Sequence, residues 1–141
     1  MNPPDDQDET LPEAFWAVAR QLRGRNRETL APLDITPSQS RAVVVLMRHG
    51  TMRLSELAEH LRIVARSATE VVDGLQARGL VERLPDPGDR RATLVALTDK
   101  GTQTGTAIRA ARFAEADSFF SSLGEQDRAD LARILRTLRG R

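Results

Sequence analysis

Residues 85–89, Pro-Asp-Pro-Gly-Asp, carry the densest turn chemistry in the chain. Each proline fixes φ and removes a donor, so no helix runs through this stretch. It separates two strand-like runs, 80–84 and 92–97, whose leucines and valines suit a pleated, half-buried surface. Two such runs around a tight polar loop predict a hairpin. The rest of the chain reads as helix, so the fold class is mainly α with a small β-hairpin.

The helices are marked by their apolar spacing and their ends. Leu11, Phe15, Val18, Ala19 and Leu22 fall at helical intervals and predict a first helix over 11–30. Thr36-Pro37-Ser38-Gln39 is a helix start, with Thr36 as N-cap, Pro37 at the first position and Gln39 closing a capping box. That helix should stop at Gly50. Met52-Arg53-Leu54 reads as a short extended piece, after which Ser55 is expected to cap a third helix with Leu57, Ala58 and Leu61 on its apolar face. A fourth helix is expected over 66–78, ended by Gly79. Gly74 inside it should cost about 1 kcal/mol relative to alanine, with no reason visible in the sequence. A long fifth helix from Thr98-Asp99 and a last one carrying Leu131, Ile134, Leu135 and Leu138 complete the chain. Residues 1–10 are polar and are expected to be a disordered tail before a single domain over 11–141.

Composition closes off several classes of function. There is no cysteine, which excludes disulfides, cysteine-ligated zinc and thiol chemistry. His49 and His60 are the only imidazoles; both read as structural or solvated, and no carboxylate spacing around them completes a metal site. No nucleophile–base pair, phosphate-binding glycine loop or paired carboxylates in a pocket-forming context can be found, so the chain is not expected to be an enzyme or to need a cofactor. No apolar run approaches the roughly 18 residues of a membrane helix. The acidic N-terminus lacks an apolar signal region, and a cytoplasmic location is expected. Net charge is only +1, but it is unevenly spread: residues 1–13 hold five acids and no base, whereas 128–141 hold five arginines and one acid.

Two short helices followed by a hairpin define a winged helix-turn-helix, here about 36–97. An α-helix fits the major groove of DNA, and a hairpin tip can reach the adjacent minor groove, where arginine is drawn by the negative potential. On the fourth helix the outward face is Arg66, Ser67, Thr69, Glu70 and Asp73. Arg66 can read guanine, the hydroxyls can meet phosphates or base edges, and Glu70 must accept from a cytosine amino group or pair with Arg66 to avoid repelling phosphate. On the hairpin the candidates are Asp89, Arg90 and Arg91, with Asp89 placed to orient the guanidinium of Arg91. The bland alternative is a solvated helix face and an incidental salt bridge in a turn. Of the helices over 11–30 and 98–139, the first, the late part of the fifth with Phe113, Phe119 and Phe120, and the last are apolar and lie far in sequence from this unit. Two-fold DNA sites call for a two-fold protein, so they are read as dimerisation helices. A winged-helix module that binds protein partners and not DNA is the competing function.

Arg66-Ser67-Ala68-Thr69-Glu70-Val71-Val72-Asp73, then Ala77-Arg78-Gly79-Leu80-Val81-Glu82-Arg83, Asp86-Pro87-Gly88-Asp89-Arg90-Arg91 and Leu97-Thr98-Asp99-Lys100-Gly101, together resemble the MarR (multiple antibiotic resistance regulator) family. The resemblance implies a cytoplasmic homodimer that binds pseudo-palindromic double-stranded DNA, usually as a repressor, often released by a small aromatic or phenolic effector. By position it makes 66–78 the recognition helix and Arg90 and Arg91 the wing arginines. Trp16 is the candidate to line an effector pocket between the dimer layer and the winged lobe; a lone aromatic is also a common core residue.

Overall fold

The two strand-like runs pair as expected, but they are longer than their composition suggests. In the computed structural model, which describes residues 8–140, β2 (Val81–Asp86) and β3 (Asp89–Leu97) form an antiparallel hairpin whose turn shrinks to Pro87-Gly88. The ladder is regular from Val81↔Leu97 to Pro85↔Thr93 and shifts between Pro85 and Asp86. Pro85 is tolerated because β2 is an edge strand. The extended piece at Met52 is a strand in its own right: β1 (Met52–Arg53) pairs with Val95 and Leu94 of β3, giving the sheet order β1-β3-β2.

Six α-helices accompany these strands among the described residues: α1 (Leu11–Leu30), α2 (Pro37–His49), α3 (Leu54–Leu61), α4 (Ala65–Ala77), α5 (Asp99–Phe120) and α6 (Glu125–Leu138). The capping box predicted at Thr36 is present, with its hydroxyl accepting from Gln39 N at 3.1 Å and the Gln39 side chain accepting from Thr36 N at 3.2 Å. A second box was not foreseen: Thr10 and Glu13 exchange the same two bonds ahead of α1. The tail expected over 1–10 lies outside the described residues as far as residue 7. Ser55 does not cap α3. That helix begins two residues earlier, with Arg53 at the N-cap and no side-chain bond there, because pairing with β3 holds the chain extended only through Arg53. Gly79 ends the turn after α4 at φ 72°, the left-handed region open to glycine. No helix among the described residues is long and apolar enough to cross a membrane.

The chain divides into two compact units, residues 27–111 and a terminal unit of 112–141 with residues up to 26. The first holds the core. Val43, Leu57, Val72, Leu75, Leu80, Val81, Val95 and Ile108 are fully buried, each contributing roughly 1.5–3 kcal/mol by leaving water. Two glycines of α5, Gly101 and Gly105, are buried within it and bring that helix's backbone against its neighbours. Gly74 now has an explanation. A Cβ there would stand 2.7 Å from the Gln39 amide nitrogen, so the glycine lets the capping residue of α2 lie over α4. Since Gln39 is flexible, Gly74→Ala is expected to gain helix propensity and lose part of a cap, two effects of about 1 kcal/mol that nearly cancel. Thermal unfolding should therefore change little; a large loss of stability would mean that Gln39 cannot move aside.

The terminal unit is different in kind. None of its described residues is buried. Arg25 bridges to Glu115 at 3.3 Å and lies over the Phe119 ring, and Phe119 meets Phe120 edge to face. Leu11, Phe113 and Leu138 are 83%, 75% and 76% exposed. Phe120, Arg128, Leu131, Ala132 and Leu135 line an apolar hollow of about 230 Å³.

Candidate nucleic-acid interface

Each predicted contact residue sits on α4 or at the hairpin tip, and the structure separates those committed to the fold from those left free. α3 and α4 are joined through Arg62, which takes a left-handed conformation at φ 55° and leaves α4 to start at Ala65. Arg66 and Glu70 are exposed on α4, and neither side chain makes a hydrogen bond or ion pair among the described residues. The pairing of Arg66 with Glu70, one of the two options open to Glu70, is therefore absent, and both head groups are exposed. Ser67 and Thr69 are half-buried. The Thr69 hydroxyl donates to Ala65 O at 3.1 Å, which leaves its oxygen as an acceptor only.

Asp73 is not free to meet a base. Its carboxylate accepts from Arg83 Nη2 of β2 at 2.6 Å, and the other Arg83 nitrogen donates to Gln76. The pair locks the outer face of α4 to the root of the hairpin. A strand arginine was not singled out from the sequence, because its partners lie on another element.

Asp89 also has a different task from the one expected. Its Oδ1 accepts from the backbone N–H of Arg91 at 2.9 Å, so it folds the turn and does not hold the guanidinium. Both donors of Arg91 lie within reach of a carboxylate two residues earlier; the backbone one wins because it costs no side-chain entropy. Arg90 and Arg91 are exposed, with side chains that have no partner among the described residues. The other side of the turn is fixed by Asp86, which accepts from Gly88 N at 2.8 Å and from Arg53 Nε at 2.8 Å. The Gly88 backbone bond first, and Arg53 after it, hold the Asp86 carboxyl below its ordinary value. Arg53, Leu54, Ser55, Asp89, Arg91, Ala92 and Thr93 border an open hollow of about 340 Å³ at the base of the hairpin tip.

The lower end of α4 is tied down in turn. Lys100 Nζ donates to Arg78 O at 3.0 Å and the Thr98 hydroxyl to Gly79 O at 2.6 Å, while the Arg78 guanidinium donates to Asp34 O and Leu33 O. Thus Arg53, Arg78 and Arg83 serve the fold, and Arg66, Arg90 and Arg91 are presented to solvent from a helix and a hairpin tip. His49 and His60 stack at 4.4 Å between ring centroids. No cluster of three or more potential metal ligands occurs among the described residues. Trp16 is 55% exposed and meets Phe15 edge to face.

This arrangement has known counterparts. Residues 35–93 match the sequence model of the MarR family. The wild-type apo MarR of Escherichia coli superposes with a TM-score of 0.85 at 26% identity, covering 92% of this chain and 96% of that one. The chain belongs to the MarR family. Among curated MarR-family relatives, the HTH-type transcriptional repressor MdtR of Bacillus subtilis is 27% identical over 121 residues, 86% of this chain and 78% of that protein. The multiple antibiotic resistance protein MarR of Escherichia coli is 38% identical over 74 residues, 52% of this chain and 51% of that protein. As a MarR-family member this chain is a DNA-binding transcriptional regulator, and α3 and α4 with the hairpin are its winged helix-turn-helix.

Proposed function

We propose that this regulator acts as a homodimeric repressor on pseudo-palindromic operators and is released by a small aromatic or phenolic effector. The observation that carries the DNA reading is that the guanidinium groups of Arg66 on α4 and of Arg90 and Arg91 at the hairpin tip have no partner among the described residues, whereas Arg53, Arg78 and Arg83 beside them brace the fold. Arg66, with Ser67, Thr69 and Glu70, addresses the major groove; Arg90 and Arg91 address the minor groove beside it. Asp73 and Asp89 act indirectly, by holding α4 to β2 and by shaping the turn. The homodimer reading rests on the terminal unit, none of whose described apolar side chains is buried within one chain. The effector reading rests on the family, with Trp16 as candidate contact.

The test is selection of bound sequences from random duplex DNA, followed by titration at several salt concentrations. Two half-sites about one helical turn apart, 10 to 11 base pairs, are expected. Recovery of asymmetric single half-sites alone would contradict the dimer. Phenolic and aromatic acids should raise the melting temperature and release DNA; a set of such compounds that moves neither signal would make this a constitutive binder.

The wing gives a sharper prediction. Arg91→Ala should weaken binding across many sequences and flatten the salt dependence by up to about one unit, as one phosphate-neutralising group is lost. Asp89→Asn keeps a carbonyl oxygen for the Arg91 N–H and should bind at least as well as the parent, whereas Asp89→Ala loosens the turn and should bind less tightly. Equal affinity of Arg91→Ala and parent at every salt concentration would leave the wing a solvated hairpin and favour a protein-interaction module.

A further inference from the structure

The N-cap of the recognition helix is an unusual place for valine. N-caps favour Ser, Thr, Asp or Asn, whose side chains accept from the first free backbone N–H groups, and aliphatic residues are among the poorest there. Val64 occupies the N-cap of α4 at φ −71°, ψ 155°, and makes no capping bond. Nor does it pack: it is 70% exposed, while Ile63 beside it lies against the core and Leu61 is buried. An aliphatic side chain that neither caps nor packs contributes nothing to the fold that serine would not do better.

Its position supplies the use. In a helix-turn-helix the N-terminal residues of the recognition helix meet the base edges in the major groove. The apolar group those edges offer is the C5-methyl of thymine. Valine has a stiff χ1, so little side-chain freedom is lost on contact. Arg66, two residues on, has its guanidinium free for the polar part of the same surface. We propose that Val64 is a specificity-determining residue that reads a thymine methyl group in each half-site. This rests on the DNA reading given above.

The experiment replaces, in a selected operator, each thymine of one half-site in turn by deoxyuridine, which lacks only the C5-methyl. At one position the parent protein should bind about fourfold more weakly, the worth of one methyl removed from water. Val64→Ser should raise the melting temperature by capping α4, yet bring the thymine-to-uracil affinity ratio at that position to about one. Val64→Ala, which needs no capping geometry, should abolish the ratio as well. Parent protein that binds the operator but is indifferent to every replacement overturns the proposal while leaving DNA binding intact. So does a ratio that survives in both variants, since another residue would then read the methyl. Failure to select any duplex overturns the DNA reading itself and this proposal with it.

Discussion

Gly101→Ala is expected to cost the protein about 3 kcal/mol or more, a large part of the stability of a domain this size. A Cβ on Gly101 would fall inside the Leu80 carbonyl oxygen, with Leu80 C at 2.9 Å and Leu97 Cδ2 at 3.1 Å. That oxygen is fixed because it accepts from Thr98 N at 3.1 Å, at the very start of α5. Backbone against backbone has nowhere to go, so α5 must lift off the core. Gly105→Ala is the control. There the Cβ meets the side chains of Met47 and Val43, and a methionine can swing aside, so about 1–2 kcal/mol is expected. Denaturant midpoints of the two variants decide it. If Gly101→Ala unfolds with the parent, or the order of the two is reversed, α5 does not rest on Leu80 as described.

Phe113→Glu combined with Leu138→Glu should turn a dimer into a monomer and weaken operator binding by on the order of 10²–10⁴, the factor that joining two binding modules supplies. Both side chains are about three-quarters exposed within one chain, at 75% and 76%. Charging an exposed position ordinarily changes monomer stability by no more than about 0.5 kcal/mol, so a large effect on assembly can be read cleanly. Sedimentation and DNA titration should move together while the helical signal is kept. A parent protein that sediments as a well-folded monomer at micromolar concentration would sink the homodimer reading, and a double variant that still dimerises would place the interface elsewhere.

Much of the fold was legible because it is written locally. α1 spans the stretch its apolar spacing predicts, and the Thr36 box forms from four consecutive residues. Errors came where a distant partner decides. Ser55 has the chemistry of a cap, but the pairing of Met52 and Arg53 with β3 fixes where α3 can begin. The hairpin strands reach into Pro85-Asp86 and Asp89-Arg90-Arg91 because the ladder, not residue preference, carries them. At the candidate site, which arginines are tied to carboxylates was not legible. Arg83 with Asp73 and Arg53 with Asp86 are joined across elements, which no spacing in the sequence reveals. Asp89 was misread for a local reason: at a separation of two residues a carboxylate reaches either the backbone N–H or the guanidinium, and only the structure tells which.

If the chain is the dimer proposed above, a terminal unit with none of its described residues buried within one chain would make dosage part of the regulator's stability. For an obligate dimer the folded fraction rises with total chain concentration, and the melting temperature with its logarithm. At low copy number the unpaired chain would present Leu11, Phe113 and Leu138 to proteases and to aggregation. The population of competent repressor would then vary with the square of the free chain, so that halving synthesis removes more than half of the repression. A cell that tuned expression of such a dimer would thereby also tune how long each copy survives.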